Sequence, residues 1–318
     1  MLARSAYRTA AALRKVRRSS PPGSLPTTTS ESADSYALLL DRPSLEPGSL
    51  IPHSTSVYSA GVRALVGQFR QEKKMTAPRI EDLADNALLA KLRDDDRRRL
   101  APHMTVLDFQ AKHTLQRAGD EVVDTWFPCR SAMAAFSIWV DDENPAVEVA
   151  LVGREGAIGG IVSNGNVPAY ATCQVRSGGR FLRIKTVALE QCKLDSVTLR
   201  HWFSRYSDCL LAQIFQTAAC NATHTIVQRT AKWLLAGIAR TRKLEFEMTQ
   251  EQLAGILGVG RTFVTRTVRQ LREKGVLDTR RGVFIIKDEL ALRHNSCHCT
   301  TSIEDHFDVV LHGIYPAD

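Results

Sequence analysis

No run of the 318-residue chain approaches 18 consecutive apolar residues, so no membrane-spanning helix and no membrane partner are expected. Cysteine is sparse. Seven residues, at 129, 173, 192, 209, 220, 297 and 299, are odd in number and scattered. That is too few for a disulfide scaffold in a chain this long and suits a reducing cytosol. No Walker loop, no Ser-His-Asp order and no paired catalytic carboxylates stand out, so the sequence indicates no enzyme class. Acid is missing altogether from the first 30 residues. What is present is ordinary: 44% apolar and 24% charged residues exclude a wholly disordered chain. The length predicts about two domains with room for a tail.

The net charge is +8, which permits a polyanionic partner without demonstrating one. Most of the excess sits at one end. Residues 1–74 hold 11 Lys/Arg against 5 Asp/Glu. Arg4, Arg8, Arg14, Lys15, Arg17 and Arg18 are interleaved with Ala and Ser, like an organellar transit peptide. Ser19–Ser32 is rich in Ser, Thr and Pro and cannot build a core. Three readings stand: a targeting segment, a disordered basic tail, and an over-extended reading frame whose real start is Met75. The third is favoured, because the pattern turns amphipathic at once after Met75. Ile80, Leu83, Ala84, Ala87, Leu88 and Leu92 follow three- and four-residue spacings. Before it, only Val62–Phe69 hints at a short helix.

From about 104 to 190, short apolar runs alternate with Gly, Asp, Asn and Pro turns. Val106–Phe109, Thr125–Phe127, Met133–Val140, Val147–Val152, Thr172–Val175 and Arg180–Ile184 read as strands. Turns are predicted at 119–120, 141–145, 153–160, 164–166 and 178–179. Strands so short and so spaced predict a sandwich or small barrel. Residues 195–226 then read as one long helix, with Leu199, Trp202, Phe203, Tyr206, Leu210, Ile214 and Phe215 on one apolar side and small residues further on. Such a helix packs either on a symmetric partner helix or on its own barrel, the dimer being the favoured alternative.

A second amphipathic helix spans 228–240. Beyond a break at 241–247, Thr249-Gln250-Glu251-Gln252 forms a capping box. The helix it opens buries Leu253, Ile256 and Leu257 and ends at Gly258. Another helix follows from about Arg261 to Lys274, with Val264, Val268 and Leu271 on its inner face. Seven basic residues and two acidic ones lie between Gly260 and Arg281 inclusive. Gly275 ends that helix, and Val276–Thr279 and Val283–Ile286 make a hairpin. Two helices, a tight Gly turn, a basic outer face and a wing in that order predict a winged helix-turn-helix that binds double-stranded DNA.

The runs Met248–Ala254, Leu257-Gly258-Val259, Arg261–Arg266 and Leu271–Leu277 resemble the Crp/Fnr transcription regulators, with the likeness extending over about 80–318. The resemblance implies an α+β fold. Residues 75–194 would form a cyclic-nucleotide-binding-like sensor β-roll (a jelly roll), 195–226 a dimerisation helix, and 227–292 a winged helix-turn-helix domain. The family-style motif region would be about 218–291. Residues 1–74 are left as a disordered or spurious basic extension and 293–318 as a C-terminal tail. The implied function is sequence-specific regulation of transcription, as a homodimer on an inverted repeat, with RNA polymerase as a further partner. By position, Arg261, Thr262 and Arg266 would read bases. Gln250, Thr265 and Arg269 would contact phosphates, as would the wing arginines Arg280 and Arg281. Thr262 stands where the family often has an acidic residue, so the half-site preference is open. The alternative function is an effector-independent DNA-binding or architectural protein that uses the roll only as a dimer scaffold.

The family's phosphate cassette falls on Gly153, Arg154, Glu155, Gly156 and Gly159, in the run 153–160. Open amides in such a turn cradle a phosphate. The Arg and Ser that pair with a cyclic phosphate in nucleotide-binding members are here Ala169 and Tyr170. Losing that contact argues against cAMP, although Arg154 or Arg176 are possible substitutes. No Cys precedes Cys129, which argues against the family's iron–sulfur cluster. His103, His113 and His201 are the haem-ligand candidates, and their positions give them no support. No cofactor is therefore expected. The dense run Cys297-His298-Cys299 carries the chemistry for a metal or redox pair. One residue between the cysteines is tighter than the usual zinc spacing, and a plain solvated tail is the preferred reading.

Overall fold

The computed structural model describes residues 77–140, 146–161 and 167–312. All of them lie in one compact unit, Glu72–Asp318. The readings made for residues 1–74, including the Val62–Phe69 helix, fall outside the described residues.

Strands β1 Met104–Phe109, β2 Thr114–Gln116, β3 Asp124–Pro128, β4 Met133–Ile138, β5 Val147–Val152, β6 Thr172–Ser177 and β7 Gly179–Lys185 form two antiparallel sheets. Their orders are β1-β7-β3 and β2-β6-β4-β5. Inward residues of both sheets close a shared core: Trp126 and Phe181 from one, Ala134, Val152, Cys173 and Val175 from the other. The expected strand over Met133–Val140 stops at Ile138, and Trp139 and Val140 are exposed. β2, only three residues long, gave no readable alternation.

The amphipathic stretch after Met75 is not one helix. A 3-10 turn at Ile80–Asp85 is followed by α1 Ala87–Ala90 and α2 Asp94–Leu100. Asn86 makes the break. It is fully buried, its Oδ1 accepts from Leu89 N at 3.0 Å, and its Nδ2 donates to Pro128 O at 2.8 Å and Gly156 O at 3.0 Å. One side chain thus caps a helix and ties it to two loops of the roll.

The segment read as one long helix over 195–226 is helical without a break over Val197–Thr223, and a separate helix precedes it. α3 Thr186–Asp195 ends where Ser196, extended and accepting from Leu199 N at 3.2 Å, caps α4 Val197–Thr223. A short Ser side chain competing for backbone donors is the reason the two helices are separate. Thr225 then opens α5 Ile226–Thr241 with a capping box to Gln228. The two faces of α4 have different surroundings. Leu199, Trp202, Phe203 and Tyr206 are buried against the roll, with Trp202 Nε1 donating to Leu88 O and Tyr206 Oη to Ala157 O. Leu211, Ile214, Phe215, Ala218 and Ala222 form an exposed apolar stripe at helical spacing.

The C-terminal module contains α5, β8 Glu245–Glu247, α6 Gln250–Leu257, α7 Arg261–Glu273, β9 Leu277–Arg280 and β10 Val283–Ile286. The wing is a three-stranded sheet, β8-β10-β9; β8 falls in the stretch read as a break. α8 Glu289–His294 and α9 Cys299–Val310 follow. A solvated tail was expected over the last of these. Instead α9 packs on α4, because Phe307, Val310 and the buried Leu311 join the apolar cluster of Leu199, Trp202 and Tyr206. Ile303, Phe307, Val310 and Leu311 do recur at helical spacing, and the tail reading passed over them.

Candidate nucleic-acid interface and sensor site

Thr249 caps α6 through a reciprocal bond pair with Gln252, at 3.1 and 2.8 Å. Gly258 ends α6 in the left-handed region at φ +61°, and Gly260 starts α7 two residues later. That short link is why α7 lies across α6. Leu253, Ile256 and Leu257 pack with Val264, Val268 and Leu271, all buried, so the opposite side of α7 is presented outward. Arg261, Thr262, Thr265, Arg266 and Arg269 are exposed there and line one shallow depression. Gln250 joins them: its Oε1 lies 2.8 Å from Thr265 Oγ1.

The exposed cations are held loosely. Arg261 Nε is 3.7 Å from Glu251, and Arg269 Nε is 3.3 Å from Glu273, all four side chains being well exposed. Ion pairs in that setting contribute about 0–1 kcal/mol and yield to a stronger anion. Arg281 and Gly282 form the two-residue wing turn with φ of +44° and +82°. That is the primed geometry of tight hairpins. It leaves Arg280 and Arg281 exposed at the tip.

The Gly153–Gly160 run is a packed corner of the roll. A Cβ on Gly156 would sit 2.3 Å from Tyr206 Oη, and one on Gly159 (φ +105°) 2.3 Å from Asp124 O. Several of its amides are engaged within the fold: Gly153 N donates to Glu155, Gly156 N to Gly153 O, and Ile158 N to Trp126 O. Ala169 is buried and exchanges backbone bonds with Gly119 and Asp120, while Tyr170 is 74% exposed. Arg176 is bound to Glu148 and Gln174. Glu148 is buried, which pushes its pKa up, and the Arg176 cation and Trp233 Nε1 partly offset that. His103 and His201 are exposed, and His113 stacks on Phe109 at 4.1 Å.

Glu155 also accepts from Arg240 Nε of α5 at 2.7 Å. Arg240 continues to Gln213 of α4 at 3.3 Å, and Gln213 Nε2 donates to Leu151 O. The glycine corner is thereby connected to the long helix and to the first helix of the C-terminal module. A cavity of about 80 Å³ beside this junction is lined by Glu148, Gln213, Cys220, Lys232, Trp233 and Arg240, among others. It is well below the roughly 300–1,000 Å³ of ordinary ligand pockets.

Cys297 and Cys299 are buried, but His298 between them is exposed. The candidate trio is therefore not one site. The two cysteines instead meet Cys220 and His224, from the end of α4, in a group whose ligand atoms all lie within 4.8 Å of one another. Neither α4 residue was picked out from sequence. The available signal was a Cys and a His four apart on one helix face.

A winged helix-turn-helix with a basic recognition face, joined by a long helix to an antiparallel roll, defines a DNA-binding regulator. Residues 228–294 match the model of the Crp-like helix-turn-helix domain. Among solved structures, the chain is similar to FixK2 from Bradyrhizobium japonicum, at 13% identity and TM-score 0.52, over 61% of this chain and 98% of that one. It is likewise similar to a putative transcriptional regulator of the Crp/Fnr family from Eubacterium rectale, at 14% identity and TM-score 0.53, over 65% and 96%. CLP of Xanthomonas campestris, described as a c-di-GMP responsive global regulator, matches at 13% identity and TM-score 0.50, over 62% and 100%. At such identities the likeness is one of fold. A search of curated proteins gave no match. Residues 228–294 are thus a Crp-like helix-turn-helix domain, carried on a chain whose fold is that of the Crp/Fnr regulators. No described helix is long and apolar enough to cross a membrane.

Proposed function

We propose that the chain regulates transcription by binding an inverted-repeat operator as a homodimer, one α7 entering the major groove of each half-site. The observation that carries this reading is the outward face of α7, where three arginines and two threonines are exposed together. Arg261, Thr262 and Arg266 lie in its first two turns, the part that reaches base edges. An arginine grips guanine O6 and N7 with two bonds. Gln250, Thr265, Arg269, Arg280 and Arg281 flank that part and fix the register on phosphates. The left-handed Arg281 costs about 1–3 kcal/mol of backbone strain, which a phosphate contact at the wing tip rationalises.

The exposed stripe Leu211, Ile214, Phe215, Ala218 and Ala222 supports dimerisation about α4, with a second copy as the occupant. On this reading 75–194 is the sensor roll, 195–226 the dimerisation helix and 227–292 the DNA-binding domain. RNA polymerase is the partner that this regulator type implies, and a bacterial cytosol the compartment. We assign no catalytic role. The packed glycine corner supports a shaping role for Gly153, Arg154, Glu155, Gly156 and Gly159, and an effector other than cAMP. We include neither haem nor the family's iron–sulfur cluster, since no Cys precedes Cys129 and His103 and His201 lie exposed on the surface.

Selection of bound fragments from a random DNA pool tests the reading. The expected product is a two-fold inverted repeat with half-sites one helical turn, roughly 34 Å, apart. Enrichment of a single box, or of none, contradicts it.

A further inference from the structure

Three of the seven cysteines converge at one point of the fold. Cys220 lies in the last turn of α4 and His224 one turn on, at the helix cap, so both face the same way. Cys297 approaches from the turn between α8 and α9, and Cys299 from the first position of α9. Cys220 Sγ is 3.7 Å from Cys297 Sγ, and Cys299 Sγ is 3.5 Å from His224 Nδ1. The three thiols form a buried cluster with no aliphatic member, unlike ordinary core cysteines.

We propose that Cys220, His224, Cys297 and Cys299 bind one zinc ion in a closed Cys3His site. With Zn–S near 2.3 Å and Zn–N near 2.0–2.1 Å, a tetrahedron has S···S edges of about 3.8 Å and S···N edges of about 3.5 Å. Both close pairs fit these edges. A disulfide would need about 2.05 Å between sulfurs. A cluster of two or more irons needs a wider cage than four ligand atoms within 4.8 Å of one another. Soft thiolates with one imidazole select zinc over hard cations. Gln216 Nε2 donates to Cys299 Sγ at 3.1 Å and orients it. Binding exchanges the thiol protons for the metal. Three thiolates around Zn2+ leave one negative charge, and Lys232, bound to Thr217 at 3.4 Å, supplies a cation alongside.

The ligands bracket residues 225–296, which include the whole matched helix-turn-helix domain. One pair lies where the chain enters that domain and the other where it leaves. The ion would therefore clamp the base of the module to the end of α4. This assignment does not depend on the operator reading.

The test is metal content of the full chain purified under reducing conditions, with zinc alone as the probe for reconstitution. One zinc per chain is expected. Cys220→Ser, His224→Ala and Cys297→Ser should each drop it to near zero, His298→Ala should retain it, and Gln216→Ala should weaken affinity about 10–100-fold. Should the ligand variants fail to fold, cobalt(II) bound to the wild-type chain answers the question. Strong visible bands of a tetrahedral thiolate site support the assignment. A pale octahedral spectrum, no bound zinc after reconstitution, stoichiometric iron, a Cys220–Cys297 disulfide in the reduced preparation, or loss of zinc in His298→Ala overturns it.

Discussion

Replacing Asn86 tests how the sensor roll is held together. The side chain is fully buried, caps α1 by accepting from Leu89 N, and donates to the carbonyls of Pro128 and Gly156. Asn86→Ala removes a cap that contributes about 1 kcal/mol. It also strands two buried carbonyls at about 1–3 kcal/mol each, for a total of about 3–7 kcal/mol. In a folded unit of this size each kcal/mol lowers Tm by about 2–4 °C, so a fall of about 6–28 °C is expected by calorimetry. Asn86→Asp is the sharper perturbation. It keeps the capping oxygen but aims a second oxygen at the two carbonyls. Near pH 7 it should therefore melt below Asn86→Ala. Burial against carbonyls raises the folded pKa of that carboxyl above its unfolded value. Its penalty is complete above the folded pKa, shrinks as pH falls through that value and is gone below the unfolded pKa, because the protonated form donates one bond. The gap between the two variants should narrow on acidification. An Asn86→Asp protein that melts near wild type at pH 7 would refute the assigned donor geometry.

Leu211→Asp with Phe215→Asp, both on the exposed α4 stripe, should shift the chain from dimer to monomer in sedimentation while leaving its circular dichroism unchanged; an unchanged dimer places the interface elsewhere. Arg240→Gln and Glu155→Gln break a partly buried pair. A double-mutant cycle in urea should give a coupling of about 1–3 kcal/mol, and additive losses would remove this link between roll and C-terminal module. Adding cAMP should leave operator affinity unchanged, since Tyr170 faces solvent and the glycine corner is packed; micromolar binding by calorimetry would contradict that.

The DNA-binding module was legible because its signals are local. The Thr249 capping box, the Gly258 turn and the Val264, Val268 and Leu271 spacing each depend on residues within a few positions, and each has its counterpart in the structure. Strands β5 and β7 showed through hydrophobic runs bounded by turns. The failures come from contacts distant in sequence. Asn86 divides a periodic helix pattern because its partners are 42 and 70 residues away. Cys220 and Cys297 meet across 77 residues, so neither announced the other. α9 is the exception: Ile303, Phe307, Val310 and Leu311 repeat at helical spacing and were passed over, although the α4 surface beneath Phe307 and Leu311 could not be read from about a hundred residues away.

The central claim is that α7 reads base sequence, and the most direct measurement is binding of Arg261→Ala, Arg266→Ala and Arg269→Ala proteins to an operator and its single-base variants at several salt concentrations. Arg261 and Arg266 lie in the first two turns of α7 and Arg269 a turn later. The first two substitutions should each cost about 1–3 kcal/mol per half-site and relax preference at one base position. Arg269→Ala should weaken all sequences alike and lower the salt slope by about one per half-site. A uniform loss in all three, with base preference unchanged, would contradict the placement of this helix in the groove.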